Sequence, residues 1–477
     1  MTTSTTAKLS LGALTAMVVG GMVGAGVFSI PRNFAMATGV YGALIAWTIA
    51  GLGMLMLAFV FQSLAKRKPD LDAGVYAYAR EGFGPYLGFS MAFGYWAAVC
   101  VGNVTYWVLI KSTLGAVFPA FGAGDTLAAV AVSSIGIWAF HFLVLRGVKE
   151  AAGINTIVTI AKIIPLAVFL VLVIFAFKPD VFVGNLWGGG GEGNYDNLFT
   201  QVKATMLITV FVFLGIEGAS NYSRLARNRA DVGTATLVGF LGVLALFASV
   251  SILSYGILPI EEIKRLSQPS VGGVLAAAVG NWGATLIGVG VLVSVLGAYL
   301  AWTLMAAEVL SVAARNGDMP AFLAKENAAQ VPSNALLLTS LLVQAFLVVT
   351  LFSEDAFTFS LSMASHLSLF PYLLSAAFLL KLVSTRETYT VGDKEFSRDM
   401  VVSLLGVIYG LFLVFAAGWH FLMLSFLVYA PATVLYLKTR REQSKQLFTK
   451  AEWFVFATLV AGAIYALIGL LTGTITI

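Results

Sequence analysis

The sequence predicts an all-α polytopic membrane protein, a five-plus-five inverted repeat with discontinuous first and sixth helices and 12–13 transmembrane helices in all. Three observations lead there. Hydrophobic residues make up 59% of the 477 and charged residues only 11%, with a mean hydropathy of +0.91. A soluble domain carries about 25% charged residues, so a water-facing surface of this size could not be clothed. Uncharged stretches of the length that crosses a bilayer, about 20 residues, recur along the whole chain. Two of them, the first and the sixth, are interrupted by glycines deep in apolar sequence.

The spans follow in order. Lys8 and Arg32 bracket 23 uncharged residues, the first span, and Pro31 is read as its end. The next fall at about 40–64, 84–110, 126–145, 152–177, 203–222, 232–257, 282–312, 334–353 and 356–380. Residues 400–437 are too long for one helix, and Gly418 near their middle marks a tight turn between two short spans. A last span covers about 453–474. The whole chain, 1–477, forms one transmembrane domain: repeat one at about 9–177, repeat two at about 200–382, and additional helices at about 400–474. Short alternating strands are absent, which excludes a β-barrel. No small-residue cleavage site follows the first span, so a retained helix is expected rather than a signal peptide.

Lysine and arginine set the orientation. With the N-terminus in the cytoplasm, 21 of the 28 fall on inner loops, among them Lys8, Lys66–Lys68, Arg80, Lys149, Arg224, Arg227, Arg229 and the run from Lys438 to Lys450. Six fall outside: Arg32, Lys111, Lys178, Lys203, Lys264 and Arg265. Lys162 alone lies within a span. Outer features are a loop with Gly188–Gly191 in residues 184–199 and an amphipathic segment over 259–281; residues 383–399 are polar and cytoplasmic. The basic balance of +5 is explained by topology and implies no nucleic acid. One cysteine, Cys100, and three scattered histidines leave no metal site, and no cofactor is expected. An enzyme would need clustered acids, histidines or a nucleophile pair, an ATPase a Walker motif, a channel rings of charge or carbonyls; none is evident.

The two interruptions carry the functional reading. The first span holds Gly20, Gly21, Gly24 and Gly26 within seven residues, and the sixth holds Gly215, Glu217 and Gly218. Each glycine costs about 1 kcal/mol relative to alanine inside a helix. Interrupted spans at matching places point to an inverted repeat with a midplane site, although one such span alone reads as well as close helix packing. A broken helix exposes amides, which suit a carboxylate, and carbonyls, which suit an ammonium; together they suit an amino acid zwitterion.

At these residues the sequence resembles the amino acid–polyamine–organocation superfamily, within it the basic amino acid antiporters, and above all their bacterial arginine/ornithine branch. The anchors are G-A-G-V-F-S-I-P (24–31), L-D-A-G-V-Y-A-Y-A-R-E-G-F-G (71–84), G-Y-W (94–96), G-N (102–103), F-L-G-I-E-G-A (213–219), A-W-T-L-M-A-A-E (301–308) and F-P-Y-L (370–373). The resemblance implies carboxylate binding at Gly24, Ala25 and Gly26, with no hydroxyl where other members carry serine. It implies α-ammonium contacts at the carbonyls of Met22, Phe211 and Leu214. A side-chain cradle falls at Ala98, Val99 and Asn103, a stacking ring at Trp302, and a gate at Tyr95, Phe211, Glu217, Trp302 and Tyr372. Glu217 and Lys162 are implied in ion or proton coupling.

Lys162 lies about eleven residues past an inner loop, roughly 16 Å of helical rise, too deep to reach water and in need of acceptors. By the resemblance it stands where sodium sits in related folds and ties span five to the break in span one. Glu308 faces either an inner vestibule or a loop arginine. The expected function is electroneutral, sodium-independent exchange of extracellular arginine for intracellular ornithine by alternating access. Arginine/agmatine exchange, lysine/cadaverine exchange and proton-coupled symport are the alternatives. The expected setting is a bacterial inner membrane, with a homodimer as a candidate assembly.

Overall fold

The computed structural model describes residues 10–71, 75–147, 152–188, 195–217 and 230–476. Among them the regular structure is helical, apart from one isolated bridge between Glu326 and Pro332. The first span is a helix, α1 (Leu11–Met22), a 3-10 turn (Ala25–Ser29) and a second helix, α2 (Ile30–Ala37), bent by 47°. Then come α3 (Val40–Arg67), α4 (Val75–Phe83), α5 (Pro85–Gly115), α6 (Leu127–Leu145), α7 (Ala152–Phe175) and α8 (Pro179–Gly184). The second half has α9 (Tyr195–Phe213), α10 (Ala230–Ser254), α11 (Ile260–Lys264), α12 (Ser270–Val279), α13 (Asn281–Arg315), α14 (Ser333–Val349) and α15 (Ala356–Thr385). The last helices are α16 (Phe396–Glu442) and α17 (Lys450–Thr472).

Ten of these are long and apolar enough to cross a membrane, or eleven with the bent pair as one span. The 47 residues of α16 change direction at Gly418, whose φ of 78° and ψ of 173° are not helical. Glycine adopts that conformation at little cost, so the turn expected within 400–437 sits at the glycine. The apolar stretch of α5 is 94% buried and that of α17 only 11%, which puts α5 at the centre and α17 at the lipid-facing edge.

Some expectations need correction. Pro31 does not end the first span. It occupies the first turn of α2, where its missing N–H costs nothing. The helix of the sixth span begins at Tyr195, well before 203, because the segment read as external loop is already helical there. The stretch 259–281 is two helices, and the second, Ser270–Val279, is apolar rather than amphipathic. Lys8, Lys149, Gly189–Gly191, Gly218 and Arg224, Arg227 and Arg229 lie outside the described residues.

Polar contacts sort the loops into two faces. On one, the Arg67 guanidinium bonds Asp399 at 2.9 Å and Asp393 and Glu395 at 3.2 Å each, Lys68 reaches Glu387 at 2.6 Å, and Arg80 reaches Asp318 at 2.8 Å. On the other, Arg32 pairs with Asp355 at 2.9 Å and donates from Nε to the Lys264 carbonyl at 3.2 Å, while the Lys178 amide donates to Gly256 O at 2.8 Å. Each pair joins loops that the distribution of basic residues assigns to the same side.

Asp318 lies past the end of α13, outside the membrane-spanning stretch, with its side chain 5% exposed. Burial pushes its carboxyl up to about 6, against the pull of Arg80 and Lys445. The folded protein therefore keeps a proton between about pH 4 and 6 that the unfolded chain has released, and stability falls as pH rises through that window. At about 1.4 kcal/mol per unit the effect is at most about 3 kcal/mol. Asp318→Asn is expected to flatten the thermal midpoint across pH 4–6; a wild-type slope in the variant assigns the effect to another group.

Candidate functional site

The first span breaks after Met22. Val23 N still donates to Val19 O at 2.9 Å, but Gly24 N turns back to Met22 O, also at 2.9 Å. Gly24 itself is extended, with φ −103° and ψ −157°. The sixth span loosens at the same depth: Leu214 N donates to Phe211 O at 3.3 Å and Ile216 N to Phe213 O at 3.2 Å. The Met22 and Phe211 carbonyls thus each accept one bond already and keep a second lone pair.

The two breaks face each other through glycine. A Cβ on Gly26 would lie 2.9 Å from the Phe211 ring and from Val212. One on Gly215, whose φ is +104°, would lie 2.7 Å from Gly21 O. Larger residues would push the spans apart.

A cavity opens between them. The first span contributes Met22, Gly24, Ala25 and Gly26, the sixth Phe211, Leu214 and Glu217. Tyr95, Ala98, Val99 and Asn103 come from α5, and Trp302 from α13. Tyr372 stands behind this wall, 1% exposed, and reaches the site through Glu217. Gly21, expected at the break in the first span, also lines the cavity, as do Gly102, Tyr106, Val212 and Ser368, which were not among the expected site residues. Gly102 and Tyr106 complete the stripe that runs from Tyr95 through Ala98, Val99 and Asn103 at helical spacing, a signal that could have found them. Ser368 sits one turn before Tyr372 on α15.

Two buried ionisable groups are held at the breaks. Tyr95 and Tyr372 each donate a phenolic proton to Glu217, to Oε1 and Oε2 respectively, at 2.5 Å. The Gly215 amide, freed by the break, donates to Oε2 at 3.1 Å. Burying a carboxylate costs several kcal/mol unless donors satisfy it, and here three converge. Lys162, 5% exposed, donates from Nζ to the Gly20 carbonyl at 2.8 Å, tying α7 to the last turn of α1; it does not line the cavity. Asn103 Nδ2 donates to Thr303 Oγ1 at 3.3 Å. Glu308 pairs with Arg315 at 2.6 Å, the loop-arginine alternative.

A helix broken at midplane, backbone turned toward a buried cavity and few charges are the marks of a carrier of small zwitterions. Residues 9–422 match the family described as amino acid permease. The chain belongs to that family, within the amino acid–polyamine–organocation superfamily, and is a transporter rather than an enzyme. It is 49% identical to the arginine/ornithine antiporter of Pseudomonas aeruginosa, over 100% of both chains. It is 39% identical to the L-lysine transport protein of Corynebacterium glutamicum, over 99% of this chain and 97% of that one. With an arginine/agmatine antiporter of Chlamydia pneumoniae it shares 38%, over 95% of each.

Glu217→Gln keeps the shape of the clasp but replaces an acceptor oxygen with a donor NH₂, so either Tyr95, or Tyr372 together with the Gly215 amide, loses its acceptor. Near-normal expression with exchange slowed at least tenfold is expected, as a bond to a charged group is worth about 1.5–3 kcal/mol. Turnover unchanged across pH 5–8 would remove Glu217 from the transport cycle.

Proposed function

We propose that the protein exchanges extracellular arginine for intracellular ornithine at one midplane site by alternating access. The observation that carries this reading is a single cavity lined both by broken-helix backbone and by Asn103 and Trp302. The full-length similarity to an antiporter of that substrate pair supports it. The substrate carboxylate meets the amides of Gly24, Ala25 and Gly26, and the α-ammonium the carbonyls of Met22, Phe211 and Leu214. The aliphatic chain runs past Ala98 and Val99, and the distal cation rests on Trp302. A cation over an indole is worth about 2 kcal/mol when desolvated.

In this reading the chain has thirteen spans: the ten long helices, the bent first span, the second arm of α16 and a sixth span led by α9. The first ten form two inverted repeats, with the N-terminus in the bacterial cytoplasm. The cavity is lined within one chain, so one protomer is the transport unit whether or not a homodimer forms. The Lys162 ammonium on Gly20 O takes the place that sodium has in related folds, and Glu217 with its tyrosines closes the outer gate together with Phe211 and Trp302. Each substrate carries one positive charge, so exchange is electroneutral, and with the Lys162 ammonium in sodium's place it is independent of sodium.

Proteoliposome counterflow tests the reading. Labelled arginine should enter vesicles loaded with ornithine or arginine, in sodium-free choline buffer, and not empty ones. Lysine, citrulline, agmatine and cadaverine as internal partners rank the alternatives. Uptake into empty vesicles, or a sodium requirement, would sink the model of sodium-independent exchange.

Trp302→Leu is expected to weaken arginine binding about five- to thirtyfold, the loss of 1–2 kcal/mol of cation–π contact. Wild-type affinity in calorimetry would make Trp302 a packing residue.

A further inference from the structure

Pro371 lies inside α15, next to Tyr372 of the Glu217 clasp. A proline has no N–H to give to the carbonyl four residues before it, and its ring bends the helix there. The carbonyl concerned is that of Leu367, just before Ser368 of the cavity wall. At membrane depth such a carbonyl takes its donor from a neighbouring helix. That donor is Tyr429, on the second arm of α16, whose hydroxyl reaches Leu367 O at 3.3 Å.

The same tyrosine packs behind the other half of the clasp. A Cβ on Gly94 of α5 would run into the Tyr429 hydroxyl and ring, so the bare glycine makes room for it. Gly94 adjoins Tyr95, the second phenol on Glu217. One turn further along α16, Thr433 Oγ1 and the Tyr86 hydroxyl of α5 share a hydrogen bond of 2.8 Å. The second arm of α16 is thus fastened along α5, and Tyr429 reaches from it to the bend of α15. Tyr429 is buried and does not line the cavity.

We propose that Tyr429 is a positioning residue for transport: its hydroxyl stands in for the N–H that Pro371 lacks, fixes the bend of α15, and so holds Tyr372 on Glu217. The inference rests on the reading that this clasp closes the outer gate of an exchanger. Without the hydroxyl, Leu367 O loses its donor and the two halves of α15 pivot at Pro371. Tyr372, the first residue past the proline, swings with the far half, and closure slows. Substrate contacts stay, because Tyr429 makes none.

The test is whether Tyr429 works through Tyr372. Arginine/ornithine counterflow is measured for wild type, Tyr429→Phe, Tyr372→Phe and the double variant, with arginine affinity read by calorimetry. Tyr429→Phe keeps the ring in the Gly94 notch and removes only the hydroxyl. Its maximal exchange rate is expected to fall about three- to tenfold, the scale of one hydrogen bond, with arginine affinity within about twofold of wild type. In the Tyr372→Phe background the same change is expected to cost almost nothing more, since residues that act through one contact are not additive. An unchanged rate in Tyr429→Phe, a matching loss of affinity, or losses that multiply in the double variant would overturn the proposal. Should Tyr429→Phe not fold, Pro371→Ala, which returns an N–H to Leu367 O and removes the bend, is expected to slow exchange in the same way and to be slowed no further by Tyr372→Phe. Normal exchange or a further loss overturns the proposal there. A wild type that does not exchange arginine for ornithine refutes the antiporter reading instead.

Discussion

A helix that stops halfway across a membrane leaves backbone groups with no water to meet, and much of this structure is arranged around satisfying them. The Gly20 carbonyl takes the ammonium of Lys162 at 2.8 Å. The Gly215 amide takes the carboxylate of Glu217 at 3.1 Å. Each is a charge-assisted bond, about twice as strong as a neutral one. Each also answers the burial of the charge that makes it, so the lysine and the glutamate are held by the same breaks that they stabilise.

The sparse charge of the chain falls into two classes. At the face that carries Arg67, acids and bases sit in dense mutual contact, with Asp399 taken by Arg67 at 2.9 Å, by Ser63 at 2.9 Å and by Tyr389 at 2.8 Å. That cluster bolts the start of α16 to the end of α3, and none of its residues lines the cavity. Inside the bilayer, Lys162 and Glu217 bond backbone and phenol instead. Contacts of that kind can be remade as segments move, whereas a three-carboxylate grip on one guanidinium holds its elements together.

Much of this was legible in the chain because membrane physics writes it locally. Apolar length gives spans, glycine spacing gives the two breaks, and Gly418 marks its own turn. The residues expected at the site line one cavity, apart from Tyr372 and Lys162, which bond instead to Glu217 and to the Gly20 carbonyl. What escaped depends on direction rather than on composition. Pro31 reads as a helix end until the turn before it is known to restart the helix. Ser368 and Val212 are ordinary letters in apolar runs, and only the facing of α15 and α9 puts them at the cavity. Thr303 meets Asn103 only because α5 and α13 stand side by side, two helices about two hundred residues apart in sequence.

The glycine contacts between the breaks have a mechanical meaning. Span one offers Gly26 to the ring of Phe211, and span six offers Gly215 to the carbonyl of Gly21, with hypothetical Cβ gaps of 2.9 and 2.7 Å. The contacts are reciprocal and lie on either side of the interruption, like two pegs in two sockets. A pair so engaged resists both sliding and twisting, since either motion drives Gly26 into the Phe211 ring or Gly215 into the Gly21 carbonyl. The two discontinuous helices are therefore keyed to each other as one unit, and any motion between that unit and the rest of the fold falls at its boundaries with α5 and α13, the other walls of the cavity.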